Sequence, residues 1–433
     1  MNTRSKAQRL AAAAPPAGSA VATRAAPQQL TWASIDENLF HLITADMARR
    51  EVIRLGGVCA AWRRAVWGAA ASLTVISRMD GLARMDETGL VAWLASRLAS
   101  APRLRCLRVG CGYDQVAAVI AAATLHARGL TALELSFYTG EGVQGPLPAG
   151  TLQGLSRLRS LRALALGTGG DVPQPHITRI GALRQLTRLE MPYAQMTPAS
   201  LATLSRRLPG LRKAWLDCPD HASWGTVARG LSRLTDLRLD LRLDGGGFLP
   251  VAAHTLSALP TTLVSLQITG ALFHLASLPF ARLPHLVELG VHDRVLEGAE
   301  PGDVTAAAGR LRHLGLYLST VGFMEASDPE DEGLALDEPL DVWAWVPVLR
   351  ALTAVTRLSL NSFVADNRCA LPCLYTCALG LPGRVRHLHL YNISLADDAA
   401  DILPLAARRW AGCLSKLTLH CCEGVTAPAL AAL

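Results

Sequence analysis

The chain has 433 residues, of which 50% are hydrophobic, 18% charged and 5% aromatic, and its formal net charge is +7. That composition excludes a disordered chain, a collagen and a small disulfide scaffold. Residues 1–30 hold Arg4, Lys6, Arg9 and Arg24 and no acid, so the rest of the chain carries only +3. So small a total is no electrostatic footprint for nucleic acid, and no nucleic-acid partner is expected.

The first segment, 1–30, is rich in Ala, Pro and Arg, and Pro15 and Pro16 interrupt its only apolar stretch, which excludes a secretory signal. It reads as a disordered leader, with an organelle transit peptide as the alternative. Uncharged apolar runs such as Val116 to Leu125 fall far short of the ~20 residues that cross a bilayer, so no membrane partner is expected. Ten scattered cysteines suit reduced, packed thiols and hence the cytoplasm or nucleus.

The segment 31–68 reads as a compact helical unit, "WASIDENLFHLITADMARREVIRLGGVCAAWRRAV" from Trp32 to Val66. Ser34 or Asp36 can cap a first helix bearing Leu39, Phe40, Leu42 and Ile43. Val52, Ile53 and Leu55 mark a second helix stopped by Gly56-Gly57, and Val58, Cys59 and Trp62 lie at helical spacing on a third. So short a unit cannot bury that much apolar surface by itself and is expected to dock on the repeats or on a partner.

From 69 to 433 the chain is periodic. The pattern Leu-x-x-Leu-x-Leu, allowing Val, Ile, Met or Ala, starts at Leu104, Leu130, Leu161, Leu186, Leu211, Leu234, Leu263, Leu286, Leu311, Val355, Val385 and Leu414. The mean interval of ~28 residues is at the long end of leucine-rich repeats. The weakest unit is at Leu211, where Ala214 replaces the central leucine, and the long gap after Leu311 holds an acidic stretch, Glu325 to Asp341, with no basic residue. That stretch reads as a solvated, self-repelling loop. Between strands the pattern turns helical, as in "TPASLATLSRRLPGL" from Thr197. The fold expected is an α/β leucine-rich-repeat solenoid, a horseshoe with a parallel concave sheet and helices on the convex side, preceded by the small all-α unit. The chain stops at "TAPALAAL", with Glu423 the only charge after Leu419 to shield a terminal repeat, which predicts an end covered by a partner or a sequence cut short, ahead of a frayed free end.

Counting from the first leucine of each unit, positions 4 and 6 point inward and positions 3, 5 and 7 outward. Outward positions read Trp215, Asp236, Arg238 and Asp240 in the middle, and His292, His313, Tyr317, Arg357, Asn361, His387, His389, Tyr391, Lys416 and His420 toward the C-terminus. Trp215, His313, Tyr317, Arg357, His387, His389, Tyr391 and His420 are the candidate substrate-binding residues, because large amphipathic groups carry interface energy. The histidines lack carboxylate support for a metal site, and Cys369, Cys373 and Cys377 read as packed thiols. The glycines Gly167–Gly170 and Gly245–Gly247 lack the Lys-Ser/Thr of a phosphate loop. No metal, cofactor or catalytic constellation is expected.

Two motifs carry a family resemblance. The last unit, "LSKLTLHCCEGVTAPAL", with Cys422 eight residues after Leu414, closely resembles the cysteine-containing class of leucine-rich repeat. The run Arg49-x-x-Val52-x-x-Leu55 followed by Val58-Cys59-x-x-Trp62-Arg63 resembles an F-box, with Ile35-Asp36 where that family usually has Leu-Pro. Together, residues 32–433 resemble an F-box/leucine-rich-repeat protein. The resemblance implies a non-catalytic substrate receptor of SCF-type cullin–RING ubiquitin ligases. Its F-box would bind a Skp-type adaptor, and through it a cullin, with Ile35, Leu39, Leu42, Ile43, Val52, Leu55, Val58, Cys59 and Trp62, while the concave face holds a protein substrate. The alternative is a ciliary (axonemal) or cytoskeletal repeat scaffold with a degenerate F-box.

Overall fold

The strands of this chain begin where its leucines say they should. The computed structural model describes residues 70–76, 87–112, 115–137, 147–148, 150–167, 170–217, 230–241, 249–251, 253–269, 271–296, 299–318, 342–362, 370–381, 383–393 and 408–422. The chain divides into two units, Met1–Trp67 and Gly68–Leu433, and every described residue belongs to the second. The helical unit at 31–68 with Ile35 through Trp62, the acidic stretch 325–341, Cys369 and the segment 423–433 lie outside the described residues.

Each of the twelve units starts a strand two residues after its first apolar position. These are β2 (Cys106–Cys111), β3 (Ala132–Phe137), β4 (Ala163–Gly167), β5 (Arg188–Gln195), β6 (Lys213–Asp217) and β7 (Asp236–Asp240). They continue as β8 (Ser265–Thr269), β9 (Glu288–His292), β10 (His313–Leu318), β11 (Arg357–Ser362), β12 (His387–Tyr391) and β13 (Lys416–His420). A further strand, β1 (Ser72–Ile76), precedes them and pairs with β2. Its unit has Ala70 in the first position ahead of Leu73 and Val75, so the leucine pattern passes over it.

The strands pair in chain order, β1 to β13, and their pairings are parallel. Position 4 faces position 4 from strand to strand, as in Leu107↔Leu133↔Leu164↔Leu189↔Ala214 and Leu289↔Leu314↔Leu358↔Leu388↔Leu417. A slip of one residue would carry a whole apolar column to solvent, so burial itself holds the register. Positions 1, 4 and 6 are buried from Leu104 to Leu390. In β13 the matching Leu417 and Leu419 are only half-buried.

A repeated backbone junction sets the start of each strand. The Arg105 carbonyl accepts from Thr131 N–H at 2.8 Å and Ala132 N–H at 2.9 Å, and the same double acceptance recurs at each step from Ala71 to Lys416. The Thr131 and Thr187 hydroxyls also donate to the carbonyls ahead of them, at 3.0 and 3.2 Å. These shared acceptors leave no backbone donor orphaned where the chain turns into the sheet.

The buried face is covered by α1 (Glu87–Ala99), α2 (Val116–His126), α3 (Gln174–Ile180), α4 (Pro198–Arg207), α5 (Ala253–Ser257), α6 (Pro301–Val304), α7 (Val346–Ala351) and α8 (Ala370–Gly380). The expected helix at "TPASLATLSRRLPGL" is α4: the Thr197 hydroxyl accepts from Ser200 N–H at 3.2 Å, and Leu201 and Leu204 are buried. That is an N-cap followed by an amphipathic turn. The expectation of a helix in every repeat is corrected. Leu155–Arg157, Leu275–Ser277 and Phe280–Arg282 are single 3-10 turns, and Pro279 and Pro284 interrupt helical hydrogen bonding in the last pair.

Cys373 and Cys377 are fully buried on α8, and burial pushes the Cys377 thiol up to about 12. Among the described residues no helix is long and apolar enough to cross a membrane.

Candidate protein-interaction face

With positions 4 and 6 buried, alternation puts positions 3 and 5 of every strand on the open face of the sheet. Neighbouring strands bring these side chains ~4.8 Å apart, so they interact in rows. Near the start the face is charged and paired, across strands as Arg108–Glu134 at 2.7 Å and Lys213–Asp236 at 2.8 Å and within one strand as Arg188–Glu190 at 2.7 Å. Such exposed pairs add little stability.

From β6 onward the face becomes amphipathic. The Arg238 guanidinium lies over the Trp215 ring, 3.7 Å from its centroid. With the Gln267 amide oriented to suit its neighbours, its oxygen accepts from Arg238 Nε at 2.8 Å and its nitrogen lies 3.1 Å from the Tyr317 hydroxyl. One continuous network therefore runs Trp215–Arg238–Gln267–Tyr317, from β6 to β10. It crosses β9 because position 5 there is Gly290, which has no side chain to block it. A Cβ on Gly290 would sit 3.1 Å from Gln267 Cγ and 3.3 Å from Tyr317 Cε2.

Gly315 occupies the same position in β10. The two glycines floor a hollow of about 250 Å³ walled by Gln267, Glu288, His313, Tyr317, Ser359 and His389. A second hollow, of about 370 Å³, lies beside it among Arg188, Glu190, Lys213, Trp215, Asp236 and Arg238. The Trp215 indole N–H is buried with no acceptor among the described residues.

Burial lowers the pKa of His313 and of His389, where His420 and Lys416 push in the same direction. Both imidazoles are therefore neutral at pH 7. His313 Nε2 lies 2.9 Å from Ser359 Oγ. Burial also pushes the Tyr317 phenol up, keeping it a hydrogen-bond donor.

Trp215, His313, Tyr317 and His389 thus gather around the two hollows, and Arg357 approaches Glu288 at 3.9 Å. Tyr391 stacks on His420 in the next strand with ring centroids 4.8 Å apart. His387 is half-buried beside them, in β12. Position 7 follows the alternation at Tyr391 and His420, which are exposed, but not at His292 and Asp240, which are 0% and 3% exposed. Sequence reasoning passed over Gln267, Glu288, Ser359 and both glycines, although Gly at position 5 of two successive units was a readable sign of a hollow. Among the described residues no cluster of His, Cys, Asp and Glu could hold a metal ion.

No family model matches the chain, and no curated protein does either. Solved structures that are similar include the leucine-rich-repeat-containing protein LegL7 from Legionella pneumophila, at 13% identity and a TM-score of 0.36, covering 68% of this chain and 94% of that one. An internalin (inlF) from Listeria monocytogenes has 12% identity and a TM-score of 0.33, covering 91% and 94%. A leucine-rich-repeat protein from Leptospira interrogans has 14% identity and a TM-score of 0.33, covering 75% and 80%. The repeat geometry of this chain, rather than those likenesses, carries its assignment as a leucine-rich-repeat solenoid.

Proposed function

We propose that this chain is the substrate-recognition subunit of an SCF-type cullin–RING ubiquitin ligase. In this reading the segment 31–68 binds a Skp-type adaptor, and the open face of the sheet holds the protein to be modified. The observation that carries the reading is a juxtaposition in the sequence. The F-box-like run Arg49-x-x-Val52-x-x-Leu55, Val58-Cys59-x-x-Trp62-Arg63 stands directly ahead of a solenoid with a Tyr-, Trp- and His-bearing face. The receptor does no covalent chemistry. Its work is to hold lysines of the bound protein near the conjugating enzyme, which raises their effective concentration.

Trp215, Tyr317, His313, Arg357, His387, His389, Tyr391 and His420 are the residues we assign to substrate. The Trp215–Tyr317 network supports that assignment, because it presents rigid aromatic surface and oriented donors around two hollows. Affinity capture with the tagged full chain, with cullin activation blocked, tests the reading. Recovery of a Skp-type adaptor together with a cullin is expected.

A further inference from the structure

The charges of this solenoid are sorted by edge. Take the nine residues of each unit that end at position 2, the turn by which the chain enters its strand. Across the twelve units from Leu104 to Leu414 these turns hold many Arg and not one Asp or Glu. Spread evenly, the chain's 35 acids would place about nine there. Because the strands are parallel, paired in chain order and in register, all these turns line one edge of the sheet. The far ends of the strands and the segments that follow them carry acids instead, among them Asp217, Asp293, Glu300 and Asp303.

Part of this has a local cause. Helices α1, α3, α4 and α7 end at this edge with Arg97, Arg179, Arg206 and Arg350 in their last turns, where cations suit the helix dipole. Others brace the backbone, as Arg105 does by donating to the Gly129 carbonyl at 2.9 Å. Neither cause covers Arg103, Arg128, Arg159, Arg184, Arg233 and Arg384. All six lie in the turns beyond the helices and are exposed, and their guanidinium groups have no hydrogen-bond or ion-pair partner among the described residues.

We propose that this leading edge binds an acidic polypeptide segment, rich in Asp and Glu, laid along the row of arginines. This surface is distinct from the open face and does not depend on the function proposed above. Strands mostly of five or six residues separate the two edges by ~17–20 Å, about two Debye lengths at physiological salt. The acidic edge therefore does not cancel the basic one for a ligand that stays on it. Guanidinium forks pair bidentately with carboxylates, one turn after another. Nucleic acid fits less well. The aromatic residues in these turns, Phe280 and Trp410, are buried, so no ring is offered to unstacked bases. A duplex, with a major groove alone about 12 Å wide, would overlap Glu134, Glu190 and Glu288 on the adjoining face.

The test is fluorescence anisotropy of the intact chain with a labelled poly-glutamate of about twenty residues, beside a 20-base-pair duplex and a poly-glutamine control. Salt-sensitive binding of poly-glutamate is expected, weakened about tenfold or more when the six arginines become Gln. Substituting Arg188, Lys213 and Arg357 on the open face should leave it unchanged. Circular dichroism checks folding, and the pair Arg159→Glu and Arg184→Glu provides a milder variant if the sixfold one unfolds. Binding that ignores both variants, or no binding at low salt, overturns the proposal. Tighter binding of the duplex, lost in the same variants, overturns it in favour of nucleic acid.

Discussion

Tyr317 meets Gln267 across a strand that belongs to neither of them. The two lie in β10 and β8, and Gly290 in β9 leaves the gap through which the Tyr317 hydroxyl donates to the Gln267 amide oxygen. Two positions that the register keeps two strands apart thereby join one continuous side-chain network with Arg238 and Trp215.

Replacing Gly290 by Val should break this network with little loss of fold. A Cβ there is 3.1–3.3 Å from Gln267 and Tyr317, and both are side chains on an open face that can move aside. The expected result is a thermal midpoint within a few degrees of the parent, a cost of about 1 kcal/mol or less, with captured protein partners lost. Unchanged capture would remove the network from the proposed site.

Trp215→Ala should weaken partner binding more than any single exposed charge on the same face. The substitution removes the ring under Arg238 and the rigid anchor of the second hollow, the kind of truncation that costs about 2 kcal/mol or more at interfaces. Binding assays beside Arg108→Ala, whose ion pair with Glu134 is exposed, make the comparison. Equal effects would contradict it.

Acid should destabilise the solenoid through its histidines. Burial lowers the pKa of His176, His313 and His389 below the usual 6.5, so between the folded and unfolded values the unfolded chain binds more protons. Stability is then full above 6.5 and is lost as the pH falls below it. Urea midpoints at pH 7.5 and 5.5 should differ, and by less in a His313→Gln, His389→Gln variant. A difference of unaltered size would show that other groups govern the acid limb.

Much of this fold was legible because one residue type recurs at one spacing. Leu104 through Leu414 mark every strand from β2 to β13, and even Ala214, the weakest match, lies buried in its column. What escaped had physical reasons. Ala70 hides the repeat of β1, because it stands where the other units carry Leu or Val. Gln267 looked like any polar strand residue until Gly290 brought Tyr317 over it. His292 and Asp240 are buried at the last positions of their strands, where alternation predicts exposure. The arginines of the leading edge were visible one by one. Their alignment follows only from strands stacked in parallel register.

The core should answer to position along the solenoid. Leu266→Ala empties a fully enclosed site and should cost about 2–5 kcal/mol, whereas Leu417→Ala, at a half-buried site in β13, should cost clearly less. Chemical denaturation of the two variants checks the order, and a reversal would mean that β13 is packed more tightly than its exposure indicates.

Direct binding of a purified Skp-type adaptor to the intact chain, measured beside a Val58→Ala, Trp62→Ala variant, decides whether this is a ligase receptor. A stable complex with the parent chain is expected. The doubly substituted chain should lose that complex while the circular dichroism of its solenoid is unchanged. Failure of the parent chain to bind any Skp-type adaptor, or equal binding by both chains, would contradict the receptor reading and leave a leucine-rich-repeat scaffold.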